Sequence, residues 1–103
     1  MLNTIKKILG LGPSVDWKGL MKNGAVIVDV RTKGEYQLGH IAGSQNIPLD
    51  TLGAQLGKIQ EGKVVITCCA SGMRSATAKS ILKSKGFEVY NGGGWNGLQN
   101  KIK

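Results

Sequence analysis

The apolar runs of this chain predict an α/β fold, in which a mostly parallel sheet of about five short strands lies between two layers of helices. Short runs rich in Val and Ile recur along the 103 residues, and segments with helical spacing separate them. Two runs, 25–30 and 63–68, lack the polar alternation of a half-exposed strand, as parallel strands covered on both faces do. Strand–helix–strand order favours parallel pairing and a three-layer α/β/α arrangement.

The individual elements follow from apolar runs, caps and turns. Ser14 is a good N-cap for a short helix that runs through Lys22, and Asn23-Gly24 stops this helix. Gly86 suits the C′ position of the helix that starts at Ser75, and Asn91 to Gly94 is expected to be a sharp turn. The predicted strands with definite bounds span residues 25–30, 44–47, 63–68 and 87–90. The predicted helices span residues 14–22, 32 or 33 to 38, 50 or 51 to 58, 75–85, and 95 to the end.

We expect one domain over residues 1–103, with residues 1–12 as a helical or flexible extension. Apolar residues in that extension have helical spacing, but Lys6 and Lys7 interrupt them, so we expect neither a signal peptide nor a membrane span. A helix that packs on the domain or frays from it is the simpler interpretation. Docking on a membrane surface or a partner is the alternative.

The formal net charge of +8 would attract small anions, although it also suits plain solubility. The lysines are scattered and aromatic residues are few, so we expect no nucleic-acid partner. With one histidine and two adjacent cysteines there is no metal-ligand spacing, and we expect no metal and no cofactor. Free cysteines suit a reducing compartment, hence the cytoplasm, and nothing in the sequence demands more than a monomer.

The most informative stretch is the loop that follows the apolar run 64–68 and opens a helix. A strand that feeds a tight loop of small residues places Cys69 at the mouth of a ring of backbone N–H groups, which holds anions and favours a thiolate. Ser71 and Gly72 let the backbone curl around a ligand, and Arg74 adds a cation suited to oxyanions. These features make Cys69 a candidate nucleophile, against the alternative of a buried structural cysteine. Asp29 and Arg31 also end a strand and should face the same crevice.

Several motifs, in order over residues 14–98, resemble single-domain rhodaneses, the thiosulfate sulfurtransferases. They are Val28-Asp29-Val30-Arg31, Glu35-Tyr36, Gly39-His40-Ile41-Ala42-Gly43, Asn46-Ile47-Pro48, Cys69-Ala70-Ser71-Gly72-Met73-Arg74-Ser75 and Gly92-Gly93-Gly94-Trp95. The resemblance implies a rhodanese-like fold and a ping-pong reaction. In that reaction the Cys69 thiolate attacks the outer sulfur of thiosulfate or a similar donor, sulfite leaves, and the resulting persulfide passes its sulfur to cyanide, a thiol or a partner protein.

The same resemblance implies roles for the loop. The N–H groups of residues 70–75 would point inward and hold the anionic persulfide. Arg74 would stabilise the loop and the incoming dianion, or it would mainly brace the loop from outside. Met73 would add an apolar rim to the loop.

Asp29 and Arg31 would tune Cys69 or, more simply, brace the loops. Glu35 and His40 match family positions that we interpret as structural. Cys68 would be an inert buried thiol, or else a resolving thiol that forms a vicinal disulfide. Trp95 is interpreted as a core or rim residue.

Two other functions stay open at this point. The chain would serve as a persulfide carrier or sensor for one dedicated partner protein if the loop loads sulfur but turns over small acceptors poorly. Phosphatases of the same fold and cysteine-dependent arsenate reductases carry five residues between the cysteine and the arginine, whereas Cys69 and Arg74 are separated by four. The shorter loop makes a cradle for one sulfur atom rather than for a tetrahedral phosphate. A phosphatase would also need a general acid, for which Asp29 and Asp50 are the candidates.

Overall fold

A parallel four-stranded sheet organises residues 14–103, the part of the chain that the computed structural model describes. The strands are β1 (Val26–Asp29), β2 (Gln45–Asn46), β3 (Val65–Cys69) and β4 (Val89–Gly94), in the order β2-β1-β3-β4. All three neighbouring pairs are parallel. The mixed α/β fold predicted from the sequence is therefore confirmed, with four strands in this part of the chain where about five were expected. The predicted extension at residues 1–12 lies outside the described residues.

Helices cover both faces of this sheet. They are α1 (Trp17–Lys22), α2 (Lys33–Leu38), α3 (Met73–Ser84) and α4 (Trp95–Ile102), and two 3₁₀ segments, Leu49–Ala54 and Leu56–Lys58, precede β3. Successive strand residues point to opposite faces, so each strand feeds two cores. One core includes Ile66 and Cys68 with Leu98 of α4, and the other includes Val65 and Cys69 with Leu82 of α3.

Two predicted helices differ from the structure for local reasons. The first begins at Trp17 rather than after Ser14, because the Asp16 carboxylate accepts a hydrogen bond from the Gly19 N–H at 3.0 Å and so caps it. The helix predicted towards Lys58 is the pair of 3₁₀ segments instead. Gly53 and Gly57 weaken an α-helix there, while the buried Leu52 holds the first segment against the core.

The elements on either side of the predicted loop extend further into it than expected. Cys69 is the last residue of β3, and α3 begins at Met73 rather than Ser75, with Gly72 as its N-cap at φ +99°. Strand β4 continues through the turn predicted at residues 91–94, because Asn91 and Gly94 pair with Thr67 and Cys69 of β3. An irregularity in register between Thr67 and Cys69 accompanies this pairing and brings the glycines of β4 against the loop.

Candidate functional site

Cys69 lies at the carboxyl end of β3, beside the end of β1, where ligands bind in open parallel sheets. The chain leaves the strand through Ala70, Ser71 and Gly72 and enters α3 at once. A loop this short turns its backbone around the Cys69 side chain. The strand end, the loop and the first turn of α3 therefore build the site from one continuous piece of sequence.

Backbone amides converge on the sulfur. The N–H of Gly72 donates to Cys69 Sγ at 3.0 Å, and the N–H of Ser75 donates to it at 3.3 Å. The Ser75 hydroxyl oxygen lies 3.4 Å from the same sulfur. The Cys69 side chain has no exposed surface, so these donors replace water around it.

The balance of these effects favours the thiolate. Burial by itself raises the pKa of a thiol, because the charged form loses its hydration. Hydrogen bonds from the Ser75 hydroxyl and from the N–H groups of Ser75, Gly72 and Ser71 act in the opposite direction and outweigh burial. The pKa of Cys69 is therefore lower than that of an ordinary cysteine.

The glycines of β4 allow the loop to lie this close to the strand. A Cβ on Gly94 would lie 2.9 Å from the Ala70 carbonyl oxygen, and a Cβ on Gly72 would lie 3.4 Å from Gly93 Cα. Side chains at these positions would push the loop away from the sheet. The glycine run that the sequence marks as a turn thus shapes one wall of the site.

Arg74 forms an ion pair with Glu35. Its two terminal nitrogens lie 2.7 and 3.0 Å from the two Glu35 carboxylate oxygens, which joins the first turn of α3 to α2. The hydrogen bonds from Arg74 lower the pKa of Glu35 to about 2, with help from the Thr32 N–H. Thr32 and Glu35 also form a capping box at the start of α2, so the carboxylate is held from two sides.

Asp29 and Arg31 form a second, buried pair. Arg31 donates to the Asp29 carboxylate from Nη2 at 2.7 Å and from Nε at 2.9 Å, and its guanidinium lies 4.8 Å from the centre of the Trp95 ring. Nη2 also donates to the Gly39 carbonyl at 2.7 Å. This pair ties the end of β1 to the segment after α2 and to the start of α4.

The remaining predicted residues lie at the rim or apart from the sulfur. His40 is exposed, stacks on the Tyr36 ring at 3.7 Å and has Nδ1 2.7 Å from the Tyr36 carbonyl oxygen, so that nitrogen carries the proton. Ala70 and Ser71 are exposed, and Met73 is 79% exposed. His40 thus belongs to the end of α2, whereas Met73 forms part of the rim of the loop.

Cys68 faces the opposite side of the sheet from Cys69. Burial and the neighbouring Asp29 charge raise the pKa of Cys68 to about 12, and both cysteines are free. Neighbouring strand residues point apart, so their sulfurs do not meet without breaking the strand. This geometry favours the inert buried thiol over the resolving thiol.

Sequence reasoning missed Asn91 and Thr67. Asn91 Oδ1 lies 2.6 Å from the Ser75 hydroxyl oxygen, although the sequence placed Asn91 in a turn. Thr67 donates from Oγ1 to the Ser75 carbonyl at 2.9 Å and so holds the first turn of α3 on β3. The signal that could have pointed to Thr67 is that it is a polar residue within the otherwise apolar run 64–68.

Three further structural findings concern residues 14–103. No helix in this range is long and apolar enough to cross a membrane. The same residues contain no group of three or more His, Cys, Asp or Glu side chains placed to hold a metal ion. A cavity of about 890 Å³ lies at the amino ends of β3 and β4, between residues 56–64 and 85–88, at the opposite end of the sheet from Cys69.

Known proteins are similar to this chain in both sequence and fold. The family model described as the rhodanese-like domain matches residues 15–101. The chain belongs to the rhodanese-like domain family. Among solved structures, reduced CoADR-RHD from Bacillus anthracis is 33% identical with a TM-score of 0.73, covering 94% of this chain and 18% of that one. The rhodanese with anions from E. coli is 31% identical with a TM-score of 0.67, covering 72% of this chain and 91% of that one.

Curated relatives of this rhodanese-like domain include proteins with named activities. The uncharacterized protein YqhL of Bacillus subtilis is 38% identical over 77% of this chain, and the chain spans 64% of that protein. The thiosulfate sulfurtransferase GlpE of Ectopseudomonas mendocina is 36% identical over 70% of this chain and 67% of its own length. The tRNA sulfurtransferase of Thermoplasma acidophilum is 30% identical over 80% of this chain, which spans only 16% of that protein.

Proposed function

We propose that this chain is a sulfurtransferase that moves sulfane sulfur from thiosulfate, or a similar donor, to a thiophilic acceptor through a persulfide on Cys69. The convergence of the Gly72 and Ser75 amides on Cys69 Sγ carries the proposal. Membership of the rhodanese-like domain family and the similarity to a thiosulfate sulfurtransferase support the same chemistry. The acceptor is cyanide, a thiol or a protein.

The reaction has two displacement steps. The Cys69 thiolate attacks the outer sulfur of thiosulfate, the S–S bond of thiosulfate breaks, and sulfite leaves with the electron pair. The new persulfide is anionic, and the amide donors of the loop stabilise its charge as they stabilise the thiolate. The acceptor then attacks the outer sulfur of the persulfide, and the electron pair of that S–S bond returns to Cys69.

The donor reaches the sulfur from the side of the loop. Because Cys69 has no exposed surface, thiosulfate makes contact only when the loop moves outward. Ala70, Ser71 and Met73 are exposed, so this part of the loop faces solvent. Arg74 is ion-paired with Glu35, and this pair braces α3 against α2. The positive charge of Arg74 attracts the thiosulfate dianion from that position.

Mass spectrometry tests the proposal directly. Thiosulfate should add about 32 Da, one sulfur atom, to the reduced protein, and cyanide should remove it. Cys69→Ser should abolish the gain, and Cys68→Ser is the matched control that should retain it, because its thiol has a pKa of about 12 and faces the other core. A wild-type protein that gains no sulfur, or a Cys69→Ser variant that still gains it, contradicts the proposal.

A persulfide carrier for one dedicated partner is the second candidate. Leu38 is 92% exposed and Met73 is 79% exposed, and the two lie on the helices that the Glu35–Arg74 pair joins. Met73, an exposed apolar side chain beside the loop, would be available for contact with a protein acceptor. Fast steady-state turnover with cyanide would exclude an obligate carrier. Slow turnover with cyanide, together with rapid transfer to a protein thiol, would favour one.

The remaining aspects of the proposal follow from the same site. We infer a reducing, cytoplasmic setting, since the chemistry needs Cys69 free and both cysteines are free. We infer a monomer, because the donors to the sulfur, Gly72 and Ser75, lie within six residues of Cys69 in the same chain. Phosphatase and arsenate reductase chemistry are disfavoured, because only four residues separate Cys69 from Arg74. In addition, Asp29, one of the two general-acid candidates, is fully buried and ion-paired with Arg31.

A further inference from the structure

The Ser75 hydroxyl carries one hydrogen but has three atoms within reach. Asn91 Oδ1 lies 2.6 Å from Ser75 Oγ, the Gly72 carbonyl oxygen lies 3.0 Å from it, and Cys69 Sγ lies 3.4 Å from it. Ser75 has no exposed surface. These three atoms therefore compete for a single hydrogen in a site where hydrogen bonds are strong.

The orientation of the Asn91 amide is determined by its other partners. The N–H of Gly93 lies 2.9 Å from Oδ1 and can only donate, while the Gly72 carbonyl oxygen lies 3.3 Å from Nδ2 and can only accept. The amide oxygen must therefore face Gly93, and the same oxygen faces Ser75. An amide oxygen is an acceptor only, so its contact at 2.6 Å requires the hydrogen of Ser75.

The Gly72 carbonyl is the weaker competitor. It already accepts the N–H of Ala76 at 3.1 Å and Nδ2 of Asn91 at 3.3 Å, which occupies both of its lone pairs. Asn91 also offers the shortest of the three contacts. The hydrogen of Ser75 consequently lies towards Asn91, and Ser75 turns a lone pair towards Cys69.

A lone pair facing Cys69 suits the thiol, because the S–H can then donate to Ser75 Oγ. A thiolate needs the opposite arrangement, in which the hydroxyl leaves Asn91 and donates to the sulfur. The charged or titratable groups on the elements packed around Cys69 are ion-paired, lie on the other face of the sheet, pack on another side chain, or are exposed. They are Arg74 of α3 with Glu35 of α2, Asp29 with Arg31 at the end of β1, Cys68 on the other face of β3, Tyr90 of β4 against Trp17, and the exposed Asp50.

We propose that Asn91 is a positioning residue that competes with Cys69 for the hydrogen of the Ser75 hydroxyl and so restrains ionisation of the nucleophile. The inference rests on the proposed role of Cys69. A thiolate of higher pKa is intrinsically the stronger nucleophile, so this restraint offsets part of the effect of the loop amides and suits attack near neutral pH. When Cys69 ionises, its proton leaves to solvent and the hydroxyl of Ser75 turns from Asn91 to the sulfur.

The test is a pH titration of the thiolate absorbance in the far ultraviolet, with the same titration of Cys69→Ser subtracted. Asn91→Ala should lower the midpoint of Cys69 by about 0.5 to 1 pH unit, because it frees the hydroxyl for the thiolate. Ser75→Ala should raise the midpoint by a similar amount. The two variants thus shift the midpoint in opposite directions, which a loop that is merely loosened would not do.

The double variant decides whether Asn91 acts through Ser75. In the Ser75→Ala background, Asn91→Ala should leave the midpoint unchanged. The proposal is overturned if Asn91→Ala raises the midpoint of Cys69 in the native background or leaves it unchanged. It is also overturned if Asn91→Ala shifts the midpoint equally with and without Ser75. If the alanine variant does not fold, Asn91→Leu replaces it in the titration, because the Leu side chain has nearly the same shape and no hydrogen-bond acceptor.

Two controls separate this inference from the proposed function. Asn46→Ala is the matched asparagine exchange, since Asn46 also ties two carbonyls but at β2, away from Cys69, and it should leave the midpoint of Cys69 unchanged. Failure of thiosulfate to load the wild-type protein would overturn the sulfurtransferase proposal and leave the titration readable. Loading with unshifted midpoints would overturn only the role of Asn91.

Discussion

At the scale of single residues, the site depends on donors that point at one sulfur and on ion pairs that hold those donors. The amides of Gly72 and Ser75 contact Cys69 directly. Glu35 contacts neither the sulfur nor its amides, yet it holds Arg74 and through it the first turn of α3. The charge of Glu35 should therefore affect stability more than chemistry.

We expect the contribution of Glu35 to stability to depend on pH. Its pKa is about 2 in the folded chain against an ordinary value of 4.5, so the unfolded chain binds the proton first as pH falls. The stabilising contribution is complete above about pH 5 and is lost as pH falls from about 4.5 towards about 2. Urea unfolding of the native chain and of Glu35→Gln at a series of pH values measures this difference.

Gln is the matched exchange at this position because it can keep the capping box with Thr32 while it removes the charge. The gap in unfolding free energy between the two proteins should be constant above about pH 5 and should narrow below it. A gap that is the same at every pH would show that the Glu35–Arg74 pair contributes nothing through its charge.

Sequence and structure agree unevenly at this scale. Cys69 and its loop were identified from the sequence, because an apolar run followed by small residues and a helix is a local pattern. Arg74 was left with two roles, and the structure pairs it with Glu35, which lies 39 positions earlier. The contact of Asn91 with Ser75 depends on how β4 pairs with β3, and nothing local in the sequence reports that pairing.

At the scale of elements, β4 is the part that the sequence described least well. Three consecutive glycines are typical of a turn, and residues 91–94 were predicted as one. In the structure they form the last four residues of the six-residue strand β4, because Thr67 and Cys69 of β3 supply the pairing. The missing side chains let this strand lie under α4 and against the loop.

Gly92→Ala should destabilise the chain by about 1 to 3 kcal/mol through overpacking. Its Cβ would lie 2.7 Å from Leu98 Cδ2, 2.9 Å from Ile66 Cγ2 and 2.9 Å from the Thr67 carbonyl oxygen, so α4, β3 or β4 must shift. Gly97→Ala is the control, since its Cβ meets nothing within 4 Å and its site is inside α4. That exchange should stabilise the chain by about 0.5 to 1 kcal/mol. Chemical denaturation measures both, and equal effects would contradict this account.

At the scale of the whole molecule, the net charge of +8 predicts a salt effect on the proposed reaction. The field of a basic domain raises the local concentration of a dianionic donor. Raising ionic strength from 0.1 to 1 M shortens the Debye length from about 10 to about 3 Å. We therefore expect kcat/KM for thiosulfate to fall steadily across this range.

Alkylation of Cys69 by iodoacetamide, a neutral reagent, is the control for this salt effect. The field of the protein does not attract a neutral reagent, so the alkylation rate should change little with salt. If kcat/KM for thiosulfate is also flat, the positive charge serves solubility rather than steering. If both rates fall together, salt acts on the loop rather than on the encounter.

The sequence by itself determined the alternation of strands and helices, the parallel sheet and the cysteine loop at the end of β3. Each of these depends on residues that lie close together along the chain, so apolar runs, caps and small residues suffice to indicate them. Only the tertiary structure decided that Arg74 binds Glu35, that Cys68 faces the other core, and that the Asn91 amide oxygen contacts the Ser75 hydroxyl. These contacts depend on the register between strands and on the docking of helices, which bring together side chains that are far apart in the sequence.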